Sequence, residues 1–313
     1  MDTRQVSLIA RYSARYSVRG GIGLVFLLLS LTFGLLVAQF TLQPLEMIVQ
    51  QVKAQTTKNA DTDPDELTRE VLARLVPEVR PAVAWFLKKP QKAGAPPDRE
   101  ADDESNRWAD YLLSDRPAML SAILLILLFG WPLCAAFGAF DLYAGDIASR
   151  QLRYQLLRAD RASIFFGRLL GTMTTFAIVL LILGVTVTLY MGIKLPIYSW
   201  GALCGWAVYG ICALLVSTLP YVAVCAWISS AMSSSLASLT ISSAIIGGVP
   251  LMAMLARSAW EPAGMLNYAL PWGFQTRLFH PDASQVAAAV GGCLIQTALF
   301  LWLGFKKFTT RDL

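Results

Sequence analysis

Arg150, Arg153, Arg158 and Arg161 stand together in one short polar stretch, with Leu152, Leu156 and Leu157 interleaved among them. A guanidinium carries five donors in a rigid planar fork, suited to carboxylates, phosphates and carbonyl oxygens. On a short helix over residues 149–157 the leucines would fill a partner's groove while the arginines grip its rim. The chemistry on offer is recognition, and bond-making groups are scarce. The single histidine, His280, is followed by Pro281 and Asp282 with no cluster of partners in the sequence, whereas a nucleophile needs a base beside it. Cys134, Cys204, Cys212, Cys225 and Cys293 fall in apolar runs with no CxxC and no Cys/His pair, so they read as small packed hydrophobes. Neither a Gly-Lys-Ser/Thr phosphate loop nor a GxGxxG turn occurs. The sequence predicts no catalytic residue, no metal and no cofactor bound by this chain.

The elements that must position the basic stretch are apolar. Of 313 residues, 56% are hydrophobic and 15% charged, against about 25% charged in an ordinary soluble domain. Six charge-poor runs, 21–40, 118–140, 167–192, 203–228, 236–255 and 285–305, have the length of membrane spans. Backbone groups in hydrocarbon must pair within the segment, so these runs should be helices. The fourth and fifth are separated only by residues 229–235, small and polar, where the chain must reverse. The first run is too long for a signal-peptide core and is expected to stay as a helix. The predicted fold is all-α: a polytopic membrane protein of six transmembrane helices, with an interfacial helix at 1–20 and a large, partly helical extracytoplasmic insertion at 45–117.

Basic residues in short segments set the orientation. Arg4, Arg11, Arg15 and Arg19, the loop arginines, and Lys306, Lys307 and Arg311 all fall on one side if the spans are even in number. Both termini (the tail being 306–313) and the segment 141–168 are then cytoplasmic, in a plasma or inner membrane. The same rule explains the loop arginines without any partner, and both readings stay open. On a helical wheel Arg4, Arg11, Arg15 and Arg19 share one quadrant, with Val6, Ile9, Tyr12 and Tyr16 across from them. Such a helix lies along anionic lipid headgroups.

In the insertion, Asp63-Pro64-Asp65-Glu66 reads as a capped helix start. Leu67, Val71, Leu75 and Val79 give that helix one apolar face, and Pro77 and Pro81 are expected to break or bend it. Residues 90–106 read as a linker, and Trp108, Tyr111 and Leu112 as interfacial residues leading into the second span.

Away from their ends the spans carry essentially no ionisable side chain. That excludes proton-coupled transport, which needs such groups in the membrane, and it argues against an intramembrane enzyme. The net charge of +5 reflects loop asymmetry rather than a nucleic-acid surface. Gly167-x-x-x-Gly171 and Gly201-x-x-x-Gly205 have the spacing of close helix packing, within one chain or between copies. Gln39, Gln296, Thr172, Thr174, Thr175, Ser242 and Ser243 either line a polar path or make ordinary interhelical hydrogen bonds.

Phe137, Phe140 and Asp141, then Leu152, Leu156, Leu157, Arg161, Gly167 and Arg168, form a pattern between the second and third spans. Together with the basic amino-terminal helix and the six spans, it resembles the permease subunits of type 2 ATP-binding-cassette (ABC) exporters over nearly the whole chain. Arg150-Gln151 stand where that family carries Gly-Thr, and Ala159-Asp160 occupy its usual Pro region. The ending Lys306-Lys307-Phe308 through Arg311-Asp312-Leu313 is similar to endings seen there.

The resemblance implies a homodimer or heterodimer of six-helix halves and a separate ATP-binding subunit holding ATP and Mg. That subunit would dock on 141–168 through Arg150, Leu152, Arg153, Leu156, Leu157, Arg158 and Arg161. Uncharged spans then suggest a lipidic or amphipathic cargo. Two alternatives remain: a complex that transmits force to an extracytoplasmic partner at 45–117, and an enzyme of lipid or cell-wall metabolism.

Overall fold

A polar backbone in hydrocarbon must satisfy itself locally, and the helix does so within one segment. In the computed structural model, residues 3–19, 21–56, 64–87, 99–257, 268 and 272–311 are described, and among them every regular element is helical. Six helices are long and apolar enough to cross a membrane, as expected of an all-α polytopic membrane protein. They are α2 (Ile22–Thr56), α5 (Ala118–Ala139), α8 (Arg161–Lys194), α9 (Trp200–Ala231), α10 (Ser235–Arg257) and α12 (Ala283–Thr310). Each contains or closely matches one predicted run, and the predicted reversal falls between Ala231 and Ser235. The remaining helices are α1 (Thr3–Arg19), α3 (Pro64–Leu87), α4 (Arg99–Asp110), α6 (Ala144–Ala148), α7 (Gln151–Leu156) and α11 (Trp272–Gln275). With 34 residues, α8 rises about 50 Å at 1.5 Å each, so it projects beyond a hydrocarbon core of about 30 Å.

The chain divides into two compact units. One comprises Leu31–Leu127 and Leu183–Ile211. Here α2 continues past the expected end of the first span, through Pro44, to Thr56. Polar contacts hold it along α8: Tyr190 donates to Gln39, and Lys194 Nζ lies 2.9 Å from Glu46 Oε1. Most of the described insertion is helical too. Pro77 and Pro81 do not end α3, which runs to Leu87. The expected linker 90–106 is corrected in its second half, because α4 begins at Arg99. Val71, Ala84 and Leu87 of α3 and Trp108 and Ala109 of α4 are buried, and Arg80 donates to Asp110 at 2.6 Å. Burial of that apolar face outweighs a polar, linker-like composition. The expected cap Asp63 and residues 88–98 lie outside the described residues. Arg116 stacks 5.0 Å from the ring centres of both Tyr111 and Trp206, a cation–π arrangement at the place where interfacial aromatics were expected.

The other unit comprises Met1–Ser30, Leu128–Ile182 and Cys212–Leu313. Trp131 Nε1 donates to Thr218 Oγ1 at 2.7 Å, joining α5 to α9. The segment around α11 is tied to α9, α10 and α12. Trp272 Nε1 donates to the carbonyl of Ile246 at 3.0 Å, Tyr221 Oη to Gln275 Oε1 at 2.9 Å, and Gln296 Nε2 to the carbonyl of Tyr268 at 2.6 Å. Ile246 and Gln296 sit at the midpoints of α10 and α12, so Trp272 and Tyr268 reach the mid-length of these helices. His280 is buried just after it, and its Nδ1 accepts the Asp282 N–H at 3.0 Å, next to the start of α12. The Thr174 and Thr175 hydroxyls turn back onto carbonyls one turn earlier in their own helix, which is intrahelical bonding rather than a lined path.

The two glycine motifs part company. A Cβ at Gly167 would stand 2.8 Å from Ile9 Cβ, and one at Gly171 would stand 2.7 Å from the Ala10 carbonyl oxygen and from Ser13 Cβ, so α1 lies directly on α8 there. A Cβ at Gly201 or Gly205 would meet nothing within 4 Å among the described residues. Gly21, at φ +81°, turns the chain from α1 into α2, a left-handed conformation natural to glycine. Val6 is buried, whereas Tyr12 and Tyr16 remain exposed and stack with ring centres 6.2 Å apart. Arg4, Arg11 and Arg15 are exposed, and the Arg19 side chain lies outside the described residues.

Gly171→Val is expected to lift α1 off α8, lowering stability by about 1–3 kcal/mol and opening α1 to protease. Gly205→Val is expected to stay within about 0.5 kcal/mol. Thermal unfolding in detergent with limited proteolysis checks both, and equal effects at the two sites would contradict the packing described.

Candidate functional site

Between α5 and α8 the chain leaves one long helix and must return to another, and its polar backbone needs partners on the way. Serines of the α9–α10 reversal supply them. The Phe140 carbonyl accepts the Ser238 hydroxyl at 2.6 Å, and Asp141 Oδ1 accepts the Ser235 hydroxyl at 2.6 Å and the Gly145 N–H at 2.7 Å. Ser229 Oγ accepts the N–H groups of both Tyr143 and Ala144 at 2.9 Å. Tyr143 is wholly buried; its ring stacks on Phe165 at 5.1 Å, and its hydroxyl donates to the Phe165 carbonyl at 2.9 Å. Each such bond is worth about 1 kcal/mol net, but an unpaired buried N–H costs more.

Beneath this layer lies an ion pair between Arg168, in the first turns of α8, and Asp146 of α6. Their side chains are only 17% and 18% exposed. Arg168 Nη1 also donates to the Leu142 carbonyl at 3.0 Å, and Gln155 Nε2 donates to Asp146 Oδ2 at 3.3 Å. The pair therefore clamps α6 and α7 back onto the start of α8.

Arg150 separates α6 from α7 with φ +56°, the one non-glycine residue in the left-handed region among the described residues. An L side chain there costs roughly 1–2 kcal/mol relative to right-handed backbone. The turn splits the expected 149–157 helix, leaving α7 from Gln151 to Leu156. One docking assignment needs correction. Leu152 is 1% exposed and packs inward, because α7 must bury one apolar side against the anchored loop. Leu156 is half-buried. The outward apolar side is Tyr154, 73% exposed, with Leu157, 83% exposed. At three-residue spacing they share a face. Arg150, Arg153 and Arg158 are exposed around them. Tyr154 was missed in the sequence, where the leucines drew attention; its position in a basic run was the available signal.

Arg161 also differs from its neighbours. Its Nη1 donates to the carbonyls of Thr309, Arg311 (3.1 Å) and Phe308 (3.4 Å) at the end of α12. Asp160 caps α8: its carboxylate accepts the Ser163 N–H at 3.3 Å, and bonding from Ser163 holds its pKa below the usual value. Among the described residues no three His, Cys, Asp or Glu side chains converge as a metal site would require. Compared with known proteins, the sequence matches no family model and no curated protein.

Arg168→Met leaves the largely buried Asp146 carboxylate without its counter-charge, with Gln155 as its remaining partner, and is expected to destabilise by about 1–3 kcal/mol, read as a lowered melting temperature. Arg150→Gly is expected to raise stability by about 1 kcal/mol by relieving the left-handed turn. Acidification has a defined sign at Asp160. Its contribution is present above the ordinary carboxylate pKa and is lost as pH falls through the lowered folded value, so protection of the Ser163 amide, measured against its intrinsic exchange rate, should fall only at acid pH.

Proposed function

We propose that this chain is the permease subunit of an ATP-driven ABC exporter of the type 2 class, energised by a separate ATP-binding subunit that docks on the α6–α7 segment. The observation that carries the reading is the exposed pair Tyr154 and Leu157, with Arg150, Arg153 and Arg158 exposed nearby, on a loop held by Ser229, Ser235, Ser238 and Arg168. A rigidly held apolar knob in a basic collar suits a groove with an acidic rim. Away from their ends the spans carry essentially no Asp, Glu, Lys, Arg or His with which to harvest a proton gradient, so the energy comes from the docked subunit, which carries ATP and Mg. On this reading the basic end is cytoplasmic and the α3–α4 insertion is extracytoplasmic. A second copy of the chain, or a related permease, completes the path for a lipidic or amphipathic cargo.

The test is purification through a tag on this chain. An ATP-hydrolysing subunit is expected to copurify, and Arg153→Glu with Arg158→Glu, or Tyr154→Ala with Leu157→Ala, is expected to release it without affecting membrane insertion or melting temperature. Each central contact is worth about 1–2 kcal/mol, so either double variant should weaken binding at least about thirtyfold. A complex that survives both double variants would contradict the proposal.

A further inference from the structure

Two arginines outside the exposed collar, Arg161 and Arg311, form a relay. Arg161 stands at the base of the docking segment and donates to the last carbonyls of α12. Arg311, just past α12, donates through Nη1 to the carbonyls of Ser230 at 2.9 Å and Met232 at 3.0 Å, at the end of α9. Terminal carbonyls of a helix lack intrahelical donors and carry the negative end of its dipole, so each guanidinium caps a helix C-terminus. From α9 the connection returns to the docking segment, since Ser229 holds Tyr143 and Ala144, and Ser235 and Ser238 hold Asp141 and Phe140. The contacts close a ring: segment, α12, α9–α10 reversal, segment.

We infer that Arg161 and Arg311 are positioning residues that latch α9, α10 and α12 to the docking segment, so that a push on Tyr154 and Leu157 moves these three helices as one body. The inference rests on the docking reading above, and it adds which helices answer the push and through which side chains. Without Arg311, the segment would keep its serine contacts to the reversal, but α12 would lose its polar tie to the end of α9 and keep its packing there, Phe300 and Gly304 against Trp227. Docking itself would be untouched, because neither arginine belongs to the exposed collar.

The experiment uses the complex purified through a tag on this chain and supplied with ATP and Mg. Arg311→Gln is expected to keep the ATP-binding subunit bound, with the melting temperature little changed, and to lower ATP hydrolysis about tenfold, the scale of ordinary coupling between sites. Arg311→Lys, which still donates to carbonyls, is expected to restore most of it, which a purely structural role would not predict. Unchanged hydrolysis in Arg311→Gln with the subunit bound overturns the latch and leaves docking standing; a wild-type preparation without any ATP-hydrolysing subunit overturns docking and the latch with it. If Arg311→Gln does not fold, hydrogen exchange in the wild-type complex decides. Addition of a non-hydrolysable ATP analogue must alter exchange at 229–235 and 305–311 together with 149–158, and a change confined to 149–158 overturns the latch.

Discussion

A buried guanidinium next to apolar helices has to be matched, and Arg168 is matched by folding the chain back over it. Its partner Asp146, the Leu142 carbonyl and the Gln155 side chain all come from the segment that precedes it. Removing one member of such a pair strands a charge in a poor solvent, so the turned-back course of α6 and α7 is imposed rather than optional. The consequence is directional. With Leu152 drawn inward toward this anchor, Tyr154 and Leu157 can only point away from it.

The serines of the α9–α10 reversal complete the arrangement. In sequence they read as small polar residues permitting a tight turn between two spans. In the fold they also serve as partners for a different loop, Ser229 accepting two N–H groups and Ser235 and Ser238 donating to Asp141 and Phe140. A hydroxyl can act as donor and acceptor, which lets one short reversal satisfy a polar crossing that offers both kinds of group. The strained Arg150 turn is tolerated on this scaffold because the residues on either side of it are held independently.

The spans could be read directly, because a run of some twenty uncharged residues has few other solutions in water or lipid. What escaped reading depended on tertiary partners. Just past its apolar run α2 is held by Glu46 meeting Lys194, and at the end of that run by Gln39 accepting from Tyr190, partners far away in sequence. The second half of the expected linker is helical because Trp108 and Ala109 find α3. Within the candidate site the basic residues were evident, but Leu152, Leu156 and Leu157 were read alike although only Leu157 is exposed, since a six-residue helix has no periodicity long enough to reveal its buried side. Arg161 could not be told from Arg158 by residue type. Only the position of the α12 terminus separates a capping arginine from an exposed one. The glycine pairs make the same point: Gly167 and Gly171 meet α1, while the identical spacing at Gly201 and Gly205 meets nothing among the described residues.

The central claim is that the face bearing Tyr154 and Leu157 receives an ATP-binding subunit. Site-specific photo-cross-linking in intact membranes tests it most directly, with a benzophenone side chain placed at position 157 in one preparation and at the inward position 152 in another. The account predicts a cross-link from position 157 to a nucleotide-binding protein, and from position 152 only to this chain. A position 157 that labels lipid or nothing, or a nucleotide-binding protein captured elsewhere on the chain but never from this face, would contradict it.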